Sequence, residues 1–191
     1  EITELTNGEG ATATVTLHDA DNHRRYQATA VLSETAAVTC LPPALPIDVA
    51  VFDEPIYGGV LFHGPRFRVV DAIDVLGRGG LSATLSGSKL IEREVASCTD
   101  VGLVDGALQL ALRWTEASLK GPSLPTRIER IEFYNSGLTQ GRVSAHVNKR
   151  DVTGACATYD ITLSDHHGAV IVPLLGVETH LLPASDVQAP A

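Results

Sequence analysis

Basic and aromatic residues are scarce in this chain. Lys and Arg total 14 against 23 Asp and Glu in 191 residues, which gives a formal charge of −9, and aromatic side chains make up 5%. A protein that neutralises phosphates needs a basic face, so this charge balance excludes a nucleic-acid-binding function. The same deficit argues against docking on an anionic membrane surface.

Methionine, long apolar runs and paired cysteines are missing as well. No apolar run approaches the roughly 18–20 residues that cross a bilayer, and the acidic first residues lack the basic and apolar regions of a signal peptide. Because the chain has no Met at all, we expect it to be a piece of a longer polypeptide. Its three cysteines form no Cys-x-x-Cys pair, so we predict no metal site and no disulfide framework, and a reducing, cytoplasmic setting fits best.

Enough apolar material is present for a packed core, since hydrophobic residues make up 44% and charged residues 19%. Residues 105–120 read as a helix, because Leu103, Val104, Ala107 and Leu108 recur at spacings of three and four. Gly and Pro directly follow this helix and are expected to end it. Alternating β-rich runs predict strands at 11–17, 25–32, 67–75, 81–85, 126–134, 142–148, 157–163 and 169–177.

One helix that is apolar around most of its circumference must be wrapped by other elements rather than laid on a surface. An antiparallel sheet that curls around a central helix satisfies this demand, so we predict an α+β hotdog fold. Residues 50–180 would form this unit, and residues 1–40 would be the end of a preceding unit of similar type. The proline-rich residues 41–49 read as a linker, and residues 181–191 as a linker tail.

Asp105 and Gln109 form the first candidate pair for chemistry. Asp105 lies at the start of the predicted helix, where the simplest interpretation is an N-cap that accepts a backbone hydrogen bond. The alternative uses Gln109, which lies one turn later on the same face and can hold a carboxyl group without adding charge. A carboxylic acid that retains a proton in an apolar channel is what a general acid requires.

His63, Gly64 and Pro65 form the second candidate group. His63 reads either as a half-buried structural histidine hydrogen-bonded to a carbonyl or as a chemical participant, and the first is favoured. The Gly-Pro pair makes a bare turn that a ligand can approach closely. Leu124 and Pro125 have a similar double interpretation, as a helix stop or as the wall of a substrate tunnel. Two adjacent histidines after Asp165 read as a polar hairpin turn rather than a metal site.

Three short motifs in this order resemble those of the dehydratase domains of polyketide synthases and polyunsaturated fatty acid synthases. That family has a double-hotdog fold, and its second half carries a Gly-Pro-x-Phe element, an Asp-x-x-x-Gln helix start and a Leu-Pro element. The matching positions here are Gly64-Pro65-Arg66-Phe67, Asp105 to Gln109, and Leu124-Pro125. The resemblance covers about residues 50–180, the C-terminal hotdog, and residues 1–37 resemble the last strands of the N-terminal one.

The resemblance implies a reaction. A histidine of the first hotdog would remove the α-proton of a 3-hydroxyacyl thioester on an acyl carrier protein. Asp105, oriented by Gln109, would protonate the departing β-hydroxyl and yield a trans-2-enoyl thioester. His63, Gly64, Pro65, Phe67, Leu124 and Pro125 would bind substrate. No cofactor is implied beyond the carrier protein's phosphopantetheine arm. The implied partners are that protein, the other synthase domains and, since hotdog sheets often pair at their edges, a second copy of the chain.

One family motif is missing. The family's base lies in His-x-x-x-Gly-x-x-x-x-Pro, and none of the seven histidines here has that pattern after it. Either the base comes from a preceding segment or another chain, or the domain has lost it. The second case would make the chain a non-catalytic or cyclising module that binds the acyl or polyketide chain. A hotdog thioesterase, which uses a carboxylate to activate water, is a third and less favoured function.

Overall fold

A computed structural model describes residues 2–7, 11–32, 49–50, 52, 54–59, 61–87, 99–134, 137, 139 and 141–183 of the chain. Most of the predicted linker, Cys40, Cys98 and most of the predicted tail lie outside these residues. The chain divides into two compact units, residues 1–38 and residues 39–191. Their assignment to a first and a second hotdog stays a prediction.

The first unit contains a three-stranded antiparallel sheet in the order β1-β2-β3. Its strands are β1 (Ile2–Asn7), β2 (Ala11–His18) and β3 (Arg24–Leu32). The predicted hairpin corresponds to β2 and β3, which pair from Ala11 with Leu32 to His18 with Arg24. Strand β1 was not predicted, because a six-residue run that begins at the first residues carries little pattern.

In the described part of the second unit, a seven-stranded antiparallel sheet wraps around one α-helix, α1 (Val101–Leu119). The sheet order is β4-β5-β6-β8-β9-β10-β7. Its strands are β4 (Val49–Ala50), β5 (Val70–Gly77), β6 (Gly80–Ser86), β7 (Ser123–Ile131), β8 (Arg142–Thr153), β9 (Cys156–Ser164) and β10 (Val170–Leu181).

The core lies between the helix and the inner face of this sheet. Leu103, Ala107, Leu110, Ala111 and Trp114 of the helix are all buried, which accounts for the nearly complete apolar circumference seen in the sequence. Alternate residues of the strands face them, as the burial pattern of β8 shows. The Trp114 indole donates a hydrogen bond of 2.8 Å to the carbonyl of Gly77, so its one polar atom is satisfied in the core. The predicted hotdog architecture is confirmed.

The helix begins earlier than the sequence analysis placed it. It starts at Val101 rather than at residue 105, and Asp100 is its N-cap, with its carboxylate accepting from the backbone N–H of Leu103. The interpretation of Asp105 as an N-cap is therefore wrong. At the other end, Lys120 adopts the left-handed conformation (φ 60°) and ends the helix directly before Gly121.

Strand β10 continues through Pro173, at which the predicted run was punctuated, to Leu181. A proline interrupts a central strand because it has no N–H to donate. Here the pairing of β10 with β9 is irregular between Val170 and Val172, just before the proline, and the Pro173 carbonyl still accepts from the N–H of Glu132.

No helix in the described part of the chain is long and apolar enough to cross a membrane.

Candidate active site

Asp105 and Gln109 lie on one face of α1, in its second and third turns. The Gln109 side-chain amide donates a hydrogen bond of 2.6 Å to Asp105 Oδ2, so the predicted contact between these two residues is present. The exposed fraction is 1% for Gln109 and 34% for the Asp105 side chain. The Gln109 amide is thus buried, while the Asp105 carboxyl group that it contacts is partly exposed.

Three residues of the segment before β5 contact this same face of the helix: Tyr57, His63 and Phe67. The Tyr57 hydroxyl donates to Gln109 Oε1 over 3.1 Å, and the carbonyl of Phe67 accepts from Gln109 Nε2 over 2.9 Å. His63 Nε2 stands 3.7 Å from Asp105 Oδ2. The Gly-Pro-x-Phe segment and the helix face are therefore adjacent, as the resemblance to the dehydratases implied.

The charge around Asp105 is low. Within the described ranges its one neighbour at ion-pair distance is His63, and no arginine pairs with it. An arginine at this distance would favour the ionised carboxylate, whereas the neutral amide of Gln109 adds no positive charge. Gln109 therefore orients the carboxyl group of Asp105 without adding a positive charge beside it.

His63 matches the structural histidine that the sequence favoured in its burial but not in its hydrogen bonding. Its side chain is 18% exposed, which matches the half-buried expectation. However, its Nδ1 is buried and has no hydrogen-bond partner among the residues that the structure describes, so the expected bond to a carbonyl is not seen. Phe62 stacks on the imidazole with a centroid distance of 5.4 Å, and Arg68 Nε donates to the His63 carbonyl. The ring is held mainly by stacking and by its backbone.

Gly64 and Pro65 form the turn that the sequence predicted at this place. Pro65–Phe67 is a short 3₁₀ turn, closed by a hydrogen bond from the Phe67 N–H to the Gly64 carbonyl. Gly64 is exposed, and a Cβ placed on it would meet nothing within 4 Å. The backbone at Gly64 is thus open to a ligand, while the Phe67 carbonyl is already engaged by Gln109.

Leu124 and Pro125 lie elsewhere, in strand β7, and the helix ends before them, so the helix-stop interpretation is wrong. Leu124 pairs with His180 next to the C-terminal end of α1. The 14 residue steps of helix from Asp105 to Leu119 span about 21 Å at 1.5 Å per residue. No described hydrogen bond or ion pair joins this pair to Asp105, and its role in substrate binding stays a prediction. The Leu124 side chain is 47% exposed.

Two polar clusters lie outside this site. In the turn between β2 and β3, carboxylate and imidazole atoms of Asp19, Asp21 and His23 lie within 4.8 Å of one another, a group that the sequence analysis did not single out. Asp19 already accepts from two backbone N–H groups of this turn and pairs with Arg25. The predicted polar turn after β9 is confirmed, because Asp165 Oδ1 accepts from the N–H groups of residues 167 and 169.

Two residues of the site region escaped the sequence analysis. Tyr57 contacts Gln109 across 52 residues of sequence, and no local pattern announces such a contact. Asp100 had a signal, because an Asp placed directly before an apolar run that contains Leu103 and Val104 is a typical helix start.

Gly106 allows the helix to approach the sheet beside Asp105. A Cβ at this position would lie 2.6 Å from a methyl carbon of Leu85 and 2.6 Å from one of Val69, both fully buried. We expect Gly106→Ala to lower the free energy of unfolding by up to about 2 kcal/mol, because overpacking costs about 1–3 kcal/mol and a gain in helix propensity offsets about 1 kcal/mol of that cost. Chemical denaturation measures this, with Ser118→Ala on the exposed side of the helix as the control. A stabilised Gly106→Ala protein would contradict the close approach.

A family model agrees with this architecture. The model described as "Polyketide synthase dehydratase N-terminal domain" matches residues 33–189, which is most of the chain. The chain therefore belongs to the dehydratase family of polyketide synthases.

A curated relative extends the comparison to fatty acid synthesis. The chain is 34% identical over 116 residues to one of the subunits of the polyunsaturated fatty acid synthase of Thraustochytrium sp. (strain ATCC 26185 / S-3). The match covers 56% of this chain and only 4% of that protein. The matched region thus corresponds to a small part of that synthase subunit.

Solved dehydratase domains share the fold. The dehydratase domain of RzxB from Pseudomonas fluorescens has a TM-score of 0.70 and 15% identity, with 93% of this chain and 66% of that one covered. The dehydratase domain from the CurH module of the curacin polyketide synthase has a TM-score of 0.67 and 19% identity, with 96% and 69% covered. At these identities the likeness establishes the hotdog fold alone.

Proposed function

We propose that this chain supplies the acid for the dehydration of 3-hydroxyacyl thioesters to trans-2-enoyl thioesters on an acyl carrier protein, within a type I polyketide or polyunsaturated fatty acid synthase. The observation that carries the proposal is the Asp105 carboxyl group, held at 2.6 Å by the uncharged, buried amide of Gln109. Membership of the dehydratase family gives this pair its chemical context.

The reaction needs one acid and one base. The thioester carbonyl acidifies the α C–H, and a base takes that proton as the α,β double bond forms. The C–O bond to the β-hydroxyl breaks, and Asp105 gives its proton to the leaving oxygen, because hydroxide is a poor leaving group. Water and the enoyl thioester are the products. The site is restored when the base loses its proton to solvent and Asp105 takes one up.

Asp105 and its neighbours fit the acid half of this scheme. The side chain is partly exposed, so a substrate hydroxyl can reach it, while Gln109 and the Phe67 carbonyl keep it in one orientation. The ring of His63 borders the same carboxyl group, and the exposed turn at Gly64 directly follows it in the chain. Both would contact the thioester-linked chain. The base would be a histidine of the first hotdog, as the family implies.

The substrate arrives on the phosphopantetheine arm of a carrier protein, so the partners in this proposal are that protein and the other synthase domains. A homodimer through hotdog sheet edges and a cytoplasmic setting remain predictions from the sequence. No cofactor other than the carrier's arm enters the scheme.

A second candidate is a non-catalytic or cyclising module that binds the acyl chain. The observation that favours it is the absence of His-x-x-x-Gly-x-x-x-x-Pro from the 191 residues. Such a module would retain the fold and bind the chain without losing water from it.

Product analysis separates these functions. The full-length protein is incubated with a 3-hydroxyacyl thioester on a phosphopantetheinylated carrier protein, and the carrier-bound products are analysed by mass spectrometry. We expect an enoyl thioester that has lost one water. Recovery of unchanged or cyclised thioester supports the binding module, and release of free acid supports the thioesterase; either outcome overturns the proposal. A carrier protein that lacks the phosphopantetheine arm is the control.

A further inference from the structure

Tyr57 connects the Gln109 amide to the backbone of strand β5. The backbone N–H of Val70 donates to the Tyr57 hydroxyl oxygen over 2.9 Å, and this hydroxyl lies 3.1 Å from Gln109 Oε1. A backbone N–H only donates, so the Tyr57 oxygen accepts there and its own hydrogen is directed to Gln109. The donor and acceptor roles of the Tyr57 hydroxyl are therefore both fixed.

The other end is fixed by a carbonyl group. Gln109 Nε2 lies 2.9 Å from the Phe67 oxygen and 2.6 Å from Asp105 Oδ2. A carbonyl only accepts, so the nitrogen of the amide must face it. If the amide were rotated by half a turn, Oε1 would oppose the Phe67 oxygen, and the Tyr57 hydroxyl would face an NH₂ group.

We infer that Tyr57 is a positioning residue that, through Gln109, makes Asp105 Oδ2 a hydrogen-bond acceptor and leaves Oδ1 as the oxygen that carries the transferable proton. The inference rests on the proposed function of Asp105 as the acid. The inference adds which carboxyl oxygen gives up the proton. If Oδ2 were protonated and pointed at Gln109, two hydrogens would lie between Oδ2 and the Gln109 nitrogen, so the proton belongs on Oδ1.

The surroundings of Tyr57 keep its hydroxyl available as a donor. Burial raises the pKa of Tyr57 above its ordinary value, so the group stays protonated at neutral pH. The Arg68 guanidinium lies 5.4 Å from the centroid of the Tyr57 ring and also donates to the His63 carbonyl. Arg68 thus contacts both the tyrosine and the loop that carries His63.

The test is Tyr57→Phe in the full-length protein, assayed for water elimination from a 3-hydroxyacyl thioester. Without the hydroxyl, Gln109 can rotate and Asp105 is no longer held in the productive geometry. We expect kcat to fall about 10–100-fold while KM changes little, since misplacement of a reacting group by about 1 Å costs on this order. An unchanged kcat overturns the inference.

The matched control is Tyr159→Phe. Tyr159 lies in the same core, and its hydroxyl contacts Thr115 and Thr179, so its removal also breaks buried hydrogen bonds. We expect a comparable decrease in melting temperature for the two variants but a wild-type kcat for Tyr159→Phe. If Tyr159→Phe lowered kcat as much as Tyr57→Phe, loss of stability would explain both effects and the inference would be wrong.

A double-mutant cycle tests whether Tyr57 acts through Gln109. We expect Tyr57→Phe to lower kcat in the wild-type background but to have no further effect in the Gln109→Leu background, because the amide that it orients is gone. Equal fold-losses in the two backgrounds would refute this route. The proposed function is tested separately, and it is wrong if Asp105→Asn leaves turnover unchanged. If turnover depends on Asp105 but the effects of Tyr57→Phe and Gln109→Leu are additive, only the role of Tyr57 is refuted.

Discussion

Asp105→Asn is expected to lower kcat for water elimination by about 10²–10⁴-fold, the usual contribution of a general acid. Asparagine has nearly the same shape as aspartic acid and still accepts from Gln109 Nε2, so the local structure is retained. Its amide has no acidic proton for the leaving hydroxyl, so the chemical step is lost while substrate binding is kept. The rate of enoyl thioester formation in the full-length protein measures the effect.

The control for this variant is Asp74→Asn, the same chemical change at an exposed position of β5. The Asp74 carboxylate contacts the Thr84 hydroxyl on the neighbouring strand and makes no contact with Gln109. We expect wild-type kcat for this protein. Undiminished turnover in Asp105→Asn, with a normally folded variant, would remove Asp105 from the reaction and with it the proposed function.

Gly80→Ala is expected to have the largest effect on stability. Gly80 has a φ of 154° at the start of β6, and a Cβ built there would lie 1.8 Å from the carbonyl oxygen of Val147 in β8. A backbone atom of a paired strand cannot move aside without breaking the β6–β8 ladder, which joins Gly80 to Asn148. We expect a loss of about 3 kcal/mol or more in the free energy of unfolding.

Gly154→Ala separates this clash from ordinary backbone strain. Gly154 also has a positive φ, 60°, in the turn between β8 and β9, but a Cβ on it would meet nothing within 4 Å. We expect a cost of about 1–2 kcal/mol for the left-handed conformation alone. At about 2–4 °C per kcal/mol, Gly80→Ala should melt well below Gly154→Ala. Equal melting temperatures would show that β8 does not constrain Gly80.

Local periodicity predicted most of the elements of the second unit. The spacing of Leu103, Ala107 and Leu108 identified the helix, and alternating runs located β5, β6, β8 and β9 within a few residues. The two-residue strand β4 was missed, and its first residue lies in the predicted linker; the other errors lie at the ends of elements. Helix α1 began four residues early because the Asp100 carboxylate, rather than that of Asp105, caps it, and a capping preference alone does not choose between two aspartates.

In the candidate site, too, the sequence predicted the local contact better than the distant ones. Asp105 and Gln109 are four residues apart, so once a helix is predicted their contact follows from its geometry. The positions of His63 and Phe67 beside them were implied by a resemblance and were then seen in the structure. Leu124 and Pro125 were implied by the same resemblance but lie near the other end of the helix, since a motif orders residues along the chain without stating their distances.

The amino-acid order alone determined the central helix, the antiparallel strands around it and the carboxyl–amide pair on one helical turn, because each depends on residues within about four positions of one another. Tertiary structure alone decided that Tyr57 orients Gln109 and that His63 faces Asp105. Those contacts join residues more than 40 positions apart, and their geometry depends on how the chain before β5 packs against the helix. Packing of that kind leaves no periodic trace in the sequence.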